Sequence, residues 1–254
     1  MPAFDCVLLD LGGVVYVGDT PIAGSIEAVD RLRNSGCALR FLTNTTRTPK
    51  AALLRKLRAL GLVIDEDELF TPAQAARGLI EAQGLDPHLL VAPALEADFD
   101  GLAEGTRSAV VVGDAGERFT YQALNEAFRQ LEEGAVFLAL ANNRHFRDTD
   151  GQLSLDAGPF VQALAFASGM EPAILGKPSR DFFDAALASA GADPARAVMV
   201  GDDAENDVGG ALAAGLSGVL VRSGKYRAGD ETALDLPPSY VADDLSAAVE
   251  WILG

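Results

Sequence analysis

The chain has 254 residues, of which 49% are hydrophobic, so it can form one large α/β domain or a core domain that carries a smaller one. Its 37 acidic residues outnumber 20 basic ones, and the net charge of -17 argues against nucleic acid or an anionic membrane surface as a partner. A small anion bound at one local site is compatible with this charge.

The two cysteines, Cys6 and Cys37, show neither a CxxC spacing nor a metal-ligand spacing, so we expect both to be inert core thiols. This usage fits a reducing, cytoplasmic setting. The sequence has no charged-then-apolar segment typical of an N-terminal signal and no apolar run of membrane-spanning length. We therefore expect a soluble protein.

The first predicted element is a buried strand that ends at a carboxylate. Apolar residues run from Cys6 to Leu9, Asp10 follows, and Gly12 and Gly13 come shortly afterwards. In open α/β sheets, ligands bind at the edge where such strands end. An aspartate before glycines is also ordinary turn chemistry, so this segment alone does not separate a functional role for Asp10 from a capping role.

An alternation of helices and strands continues from this strand. Helical spacing covers 22–34, a strand is predicted at 38–42, and further helices begin at Pro49 and Pro72. This alternation is typical of a parallel, doubly wound, Rossmann-like sheet.

The pattern changes near residue 84 and returns near residue 174. The predicted elements in between are strands at 89–91, 109–112 and 136–140 and helices at 121–131 and 160–168. Asp148, Asp150 and Gly151 predict a hairpin turn. Strands at 197–200 and 218–221 then resume the first pattern. We therefore predict an α/β fold with a core formed by residues 1–83 and 174–254 and a smaller α/β domain inserted at 84–173.

Polar residues of particular kinds stand at the ends of three core strands, and a lysine opens a helix between the last two. They are Asp10, then Thr43 and Asn44, then Lys177, and finally Asp202, Asp203 and Asp207. The carboxyl ends of parallel strands converge on one edge, so these residues are expected to face a common point. Phosphoryl transfer through an aspartyl-phosphate needs such a set: an ionised nucleophile, Mg²⁺ and donors for the phosphoryl oxygens.

In their local context these residues make the chain similar to the haloacid dehalogenase superfamily of phosphatases, over its whole length. The segments that carry the resemblance are Asp10-Leu11-Gly12-Gly13-Val14, Thr43-Asn44-Thr45-Thr46, Gly176-Lys177-Pro178, Gly201-Asp202-Asp203 and Asp207-Val208-Gly209-Gly210. The resemblance is to the class IIA subfamily, which has a large α/β cap between the second and third motifs. It implies a Mg²⁺-dependent enzyme that acts on a small phosphorylated substrate or a phosphoamino acid, with a mobile cap. Caps of this subfamily commonly take part in dimers, so a homodimer is expected.

The resemblance also implies a role for each metal-site residue. Asp10 would be the nucleophile and a Mg²⁺ ligand, and the main-chain carbonyl of Gly12 would be a second ligand. Asp202 would ligate the metal directly. Asp203 and Asp207 would support the metal site, and Asp207 would alternatively support the catalytic lysine.

The remaining implied roles concern the phosphoryl group and the rest of the substrate. Thr43 and the backbone of Asn44 would bind phosphoryl oxygens, and Lys177 would neutralise the nucleophile and the phosphate. Arg144 and His145 follow a strand of the inserted domain, and we consider them as contacts for the substrate beyond its phosphate. A solvated loop is the competing interpretation of these two residues.

Gly12 departs from the usual pattern of the superfamily, whose phosphatases carry a second aspartate two residues after the nucleophile. That aspartate protonates the leaving group, and loss of such a group costs about a hundred- to ten-thousandfold in rate. We therefore expect substrates with good leaving groups: phosphohistidine or phospholysine, imidodiphosphate or pyrophosphate, and aryl phosphates. Two alternatives stay open, a broad metabolite phosphatase of the p-nitrophenylphosphate type and a catalytically weak phosphate-binding or scaffold protein.

Overall fold

The computed structural model of the protein describes residues 4–147 and 152–254, so the predicted turn at 148–151 lies outside the described residues. The described strands are, in chain order, β1 (Cys6–Asp10), β2 (Tyr16–Val17), β3 (Thr20–Pro21), β4 (Ala38–Leu42), β5 (Leu69–Phe70), β6 (Leu85–Leu90), β7 (Arg107–Val112), β8 (Val136–Ala139), β9 (His145–Arg147), β10 (Leu153–Leu155), β11 (Ala173–Ile174), β12 (Ala197–Gly201), β13 (Ser217–Val221) and β14 (Tyr240–Ala242).

The described α-helices are α1 (Ser25–Asn34), α2 (Lys50–Ala59), α3 (Pro72–Gln83), α4 (Tyr121–Glu132), α5 (Ala157–Ser168), α6 (Arg180–Ala190), α7 (Gly210–Ala213) and α8 (Leu245–Leu253). A π-helical segment at Ala204–Gly209 leads directly into α7. None of the described helices has the length and apolarity needed to cross a membrane.

The chain folds into two compact units. The described part of the first comprises residues 4–43, 54–70 and 177–254. The second comprises residues 44–53 together with the described part of 71–176.

The first unit is built on a six-stranded parallel sheet with the order β14-β13-β12-β1-β4-β5. All five residues of β1 are buried, as the apolar run predicts for a central parallel strand. The chain moves from β1 outward through β4 and β5, and later returns to the other side of β1 through β12. The predicted doubly wound sheet is therefore confirmed, with its switch in strand order at β1, where α/β sheets bind ligands.

The second unit has its own parallel sheet, with the order β11-β8-β7-β6, and an antiparallel pair formed by β9 and β10. One apolar cluster includes Ile80 of α3, Leu95 and Val111. Another includes Val110, with Leu131 of α4 and Val161 of α5. Apolar clusters that include alternate residues of β7 are expected for a parallel strand covered by helices.

The limits of the compact units differ from the predicted boundaries at residues 84 and 173. Helix α3 belongs to the second unit because its buried face packs in the same apolar cluster as β7. Strand β11 also belongs to it, because Ala173 pairs with Leu138 of β8. Residues 44–53, which follow the second core strand, are part of this unit as well.

Candidate active site

Strand β1 delivers Asp10 to the carboxyl edge of the first unit's sheet. Asp10 is the last residue of this buried strand and pairs in register with Leu42 of β4. Thr43, directly after β4, is also buried, and its backbone N–H donates to the carbonyl of Phe70 at 3.2 Å. Asp10 and Thr43 therefore stand at the ends of adjacent strands, as the sequence predicts.

Lys177 is the buried cation of this edge. Its ammonium contacts Asp10 Oδ1 and lies 2.6 Å from Asp207 Oδ1, and both Lys177 and Asp207 are almost fully buried. Burial opposes the charge of the ammonium, but the two carboxylates outweigh it and raise the pKa of Lys177 above its usual range. Lys177 is therefore a fixed positive charge between Asp10 and Asp207.

Asp202 and Asp207 are the buried carboxylates that β12 and the following helical segment bring to the edge. Burial raises the pKa of Asp202 to about 6, and the negative charge of Asp10 adds to the effect. Burial likewise raises the pKa of Asp207, with Lys177 acting in the opposite direction. Asp207 Oδ2 accepts a hydrogen bond from the backbone N–H of Asp203 at 3.1 Å. Carboxylates are thus held close together in an environment that disfavours their charge.

The carboxylates fit a divalent cation. One ligand atom from each of Asp10, Asp202 and Asp207 can be chosen so that all lie within 4.8 Å of one another. Asp202 Oδ1 is buried and has no hydrogen-bond partner among the described residues. A buried carboxylate oxygen without a donor is costly, and a hard cation with oxygen ligands would satisfy it. The donor set and this orphaned oxygen both suit Mg²⁺.

Asp203 has different surroundings from the other three carboxylates. It caps the π-helical segment, because Oδ1 accepts from Asn206 N at 3.0 Å and Oδ2 accepts from Asn206 Nδ2 at 2.9 Å. These hydrogen bonds lower the pKa of Asp203 although its burial would raise it. Asp203 therefore lies beside the metal cluster with its oxygens already engaged, which suits the predicted supporting role.

A loop that sequence reasoning did not assign to the site holds Asp202 in place. The backbone N–H of Lys225 donates to Asp202 Oδ2 at 2.6 Å, and Ser223 Oγ donates to the carbonyl of Gly13 at 2.6 Å. Gly13 and Gly224 have φ angles of +87° and +62°, and a Cβ on either would lie 2.0 Å from Asp202 Oδ2. Glycine is therefore required at both positions by conformation and by space.

Tyr16 is a second residue that sequence reasoning did not place near the site. Burial raises the pKa of Tyr16 to about 12, and the negative charges of Asp10 and Asp19 add to this. The ammonium of Lys56 lies 4.8 Å from the Tyr16 ring and 2.9 Å from Asp19 Oδ1. The segment between β1 and α1 thus contains the β2–β3 hairpin, with a protonated phenol within electrostatic range of Asp10.

Three predicted site residues belong to the second unit: Asn44, Arg144 and His145. The Asn44 side chain lies close to Gly176, where a Cβ would be 2.7 Å from Asn44 Oδ1. Arg144 and His145 have exposed side chains at the start of the β9–β10 pair. Their roles, like those of the other predicted site residues, stay predictions.

A doubly wound sheet with buried carboxylates and a lysine at its carboxyl edge defines the class of this protein. Comparison with known proteins agrees with that class. Residues 7–118 match the family model described as haloacid dehalogenase-like hydrolase, and residues 174–248 match a second, HAD-hydrolase-like model. The chain belongs to the haloacid dehalogenase-like hydrolases, as its full-length relatives also show.

Those relatives include two curated proteins and a solved structure. The chain is 44% identical to human haloacid dehalogenase-like hydrolase domain-containing protein 2, over 99% of this chain and 96% of the relative. It is 44% identical to phospholysine phosphohistidine inorganic pyrophosphate phosphatase from Danio rerio, over 97% and 93%. Its fold matches glycerol phosphate phosphatase Rv1692 from Mycobacterium tuberculosis, in complex with magnesium, with a TM-score of 0.85 and 27% identity over 99% and 79%. The predicted membership of the haloacid dehalogenase superfamily of hydrolases is confirmed, and two of these similar proteins are named as phosphatases.

Proposed function

We propose that the protein is a Mg²⁺-dependent phosphatase that transfers the phosphoryl group to Asp10 and favours substrates with good leaving groups. The observation that carries the proposal is Gly12, which stands where the superfamily's catalytic acid is expected, within an otherwise intact set of acidic and basic residues. Within the haloacid dehalogenase-like hydrolases, this assigns the protein one reaction, phosphoryl transfer to Asp10, and one class of substrates, those with good leaving groups.

Asp10 is the nucleophile in this mechanism. One of its carboxylate oxygens bonds to phosphorus while the bond to the leaving group breaks, and the electron pair of that bond stays with the leaving group. Water then bonds to the phosphorus of the aspartyl-phosphate as the P–O bond to Asp10 breaks; the electron pair of that bond regenerates the carboxylate, and the protons of the water stay with the inorganic phosphate that is released. Lys177, in contact with Asp10 Oδ1, offsets the negative charge that accumulates as an anionic nucleophile meets an anionic phosphoryl group.

Asp10, Asp202 and the Gly12 carbonyl would hold Mg²⁺, with Asp207 and Asp203 supporting the site. When bound, the ion supplies charge neutralisation between the nucleophile and the phosphoryl oxygens. The proximity of the carboxylates and the unpaired Asp202 Oδ1 support this assignment. Thr43 and the backbone N–H of Asn44 would donate to the phosphoryl oxygens.

The identity of residue 12 sets the leaving-group requirement. A Cβ on Gly12 would have no atom of the described residues beyond its chain neighbours within 4 Å, so no other residue crowds the start of the missing side chain. An alkyl phosphate must have its alkoxide protonated, and without a general acid its hydrolysis loses about a hundred- to ten-thousandfold in rate. Phosphoramidates, diphosphates and aryl phosphates need less help. The first two of these classes agree with the substrates after which the Danio rerio relative is called.

Phosphate release by the wild type and Asp10→Asn, with and without Mg²⁺, tests the proposal. The panel contains phosphohistidine, imidodiphosphate, pyrophosphate, p-nitrophenyl phosphate and a sugar phosphate. We expect Mg²⁺-dependent turnover of the first four, little turnover of the sugar phosphate, and none by Asp10→Asn. Rapid sugar phosphate hydrolysis would point to the broad metabolite phosphatase, and no turnover of any compound would point to a binding protein.

A further inference from the structure

Lys225 is a positively charged residue at the site for which the mechanism above has no use. Its ammonium lies 3.6 Å from Asp203 Oδ2, while its backbone N–H donates to Asp202 Oδ2. The position of Lys225 is thus set by the carboxylate that is expected to bind the metal. The contact that holds Lys225 at the site is made by its backbone and does not depend on its side chain.

The loop around Lys225 is built to stay in place. Ser223 Oγ donates to the carbonyl of Gly13, and Gly224 packs so closely that a Cβ would lie 2.5 Å from the Cα of Gly13. Gly13 itself is three residues beyond Asp10, so the loop connects the nucleophile segment with the Asp202 segment. These contacts hold the backbone at Lys225, and the pair with Asp203 Oδ2 places the ammonium at the edge of the carboxylate cluster.

The two lysines at this edge differ in exposure. The side chain of Lys177 is 3% exposed and that of Lys225 is 70% exposed. Asp10 ends a fully buried strand, so a substrate reaches it from the solvent side and the leaving group departs towards that side. Lys177 therefore contacts the nucleophile, whereas the ammonium of Lys225 is accessible from the solvent side, from which the substrate arrives.

We propose that the Lys225 ammonium binds the anionic leaving group, and that it thereby selects diphosphates such as inorganic pyrophosphate among the substrates of the proposed function, on which this inference rests. In pyrophosphate hydrolysis the Asp10 oxygen bonds to one phosphorus as the bridging P–O bond breaks. The electron pair of that bond stays on the bridging oxygen, which leaves as part of inorganic phosphate. Lys225 stabilises the charge that develops on this phosphate without giving up a proton.

Phosphoramidates provide the contrast that makes the proposal testable. When the amine nitrogen of the P–N bond, or the other ring nitrogen of a phosphohistidine, is already protonated, the electron pair of the P–N bond returns to nitrogen and the group departs as a neutral amine or imidazole. A cation beside such a group gives little stabilisation. The charge of Lys225 therefore affects diphosphates strongly and phosphoramidates weakly.

The experiment compares kcat/KM of the wild type, Lys225→Met and Lys225→Arg on pyrophosphate and on phosphohistidine, at saturating Mg²⁺. Loss of a charge-assisted hydrogen bond predicts a fall of about ten- to a hundredfold for Lys225→Met on pyrophosphate. On phosphohistidine we expect a change of less than about threefold by the same reasoning. Lys225→Arg keeps the charge and should recover most of the pyrophosphate activity. Arg222→Met is the matched control, because Arg222 pairs with Asp243, outside the site.

The outcomes separate this inference from the proposed function. An equal loss on both substrates, or no loss on either, overturns the role of Lys225. A wild-type enzyme that turns over neither substrate, or an active Asp10→Asn variant, overturns the proposed function instead. The Mg²⁺ concentration for half-maximal activity should be the same in Lys225→Met as in the wild type, because the backbone contact to Asp202 is retained.

Discussion

Two buried aspartates, one in each compact unit, have opposite surroundings. Asp114 of the second unit accepts hydrogen bonds from Arg47 Nε at 2.5 Å, from Arg47 Nη2 at 3.2 Å and from Gly116 N at 3.1 Å. Asp202 of the first unit accepts one from Lys225 N, and its Oδ1 has no partner among the described residues. A buried carboxylate whose oxygens are all paired is satisfied within the fold, whereas one with an unpaired oxygen is available to a ligand.

The largest expected effect of this difference is a loss of activity in Asp202→Asn. The amide keeps the shape of the side chain but removes the charge that attracts Mg²⁺. We expect kcat/KM for pyrophosphate to fall by at least about a hundredfold and the Mg²⁺ requirement to rise. Asp114→Asn should stay within about tenfold of the wild type, because that carboxylate is already paired. Similar activity losses for the two variants would remove the distinction between them.

Gly13→Ala tests whether the environment of Asp202 depends on its glycine neighbours. Its Cβ would lie 2.0 Å from Asp202 Oδ2 at a φ of +87°, so the carboxylate or the backbone must move. We expect about tenfold or more loss of activity together with about 1–3 kcal/mol of stability. Gly12→Ala is the control, since no atom lies within 4 Å of its Cβ and its φ is not positive. Equal effects of the two substitutions would contradict the geometric argument.

The pH dependence of stability gives a third comparison, on protein freed of metal with a chelator. The pKa of Asp202 is raised in the folded protein to about 6 from the ordinary 3.8, so the folded state holds this proton more tightly than the unfolded state. The contribution of Asp202 to stability is therefore present at low pH and is lost as pH rises from about 4 to 6, by roughly 1–3 kcal/mol.

Denaturant titrations at pH 4 and pH 7 measure this effect as a difference between the wild type and Asp202→Asn. The variant lacks the titrating group, so its stability relative to the wild type should be higher at pH 7 than at pH 4. Mg²⁺ at pH 7 should stabilise the wild type more than the variant. A stability difference between the two proteins that does not change with pH would show that burial does not raise the pKa of Asp202.

Stability of the second unit gives the smallest effects. Asp114→Asn weakens the pairing of a buried carboxylate, but Arg47 is half exposed, so we expect a loss of about 1–2 kcal/mol. Arg118→Gln breaks a pair with Glu96 in which both side chains are 45% exposed, and we expect a loss of less than about 0.5 kcal/mol. Thermal unfolding at constant pH measures both. A larger loss for Arg118→Gln than for Asp114→Asn would show that pairing and burial do not determine how much a carboxylate contributes to stability.

The core strands and the acidic and basic residues at their ends could be predicted from the sequence because each strand is a short apolar run that stops at a polar residue. Asp10 follows such a run in β1, and Asp202 follows another in β12. Local pattern is sufficient here, since parallel strands place their carboxyl ends at one edge. The role of the Ser223–Lys225 loop at the site could not be predicted in this way, because it depends on close contact with Gly13, over two hundred residues away.

Domain limits were harder to predict for a physical reason. The apolar spacing of α3 gives a helix with one buried face, but it does not say which sheet covers that face. Strand β6 was predicted to begin at residue 89, yet it begins at Leu85 and includes Pro87. A proline fits this strand because β6 is an edge strand, paired with β7 alone in its sheet. Edge position is a property of the sheet that local sequence does not contain.

Gly12→Asp, with Gly12→Ala as its control, tests the central claim most directly, by measuring kcat/KM for a sugar phosphate and for pyrophosphate. The position has room for a Cβ, and the carboxyl group would stand two residues after Asp10. If the missing acid limits the substrate range, Gly12→Asp should raise sugar phosphate hydrolysis by about tenfold or more, with little gain on pyrophosphate and none for Gly12→Ala. Unchanged sugar phosphate hydrolysis in a folded, pyrophosphate-active Gly12→Asp enzyme would contradict the account.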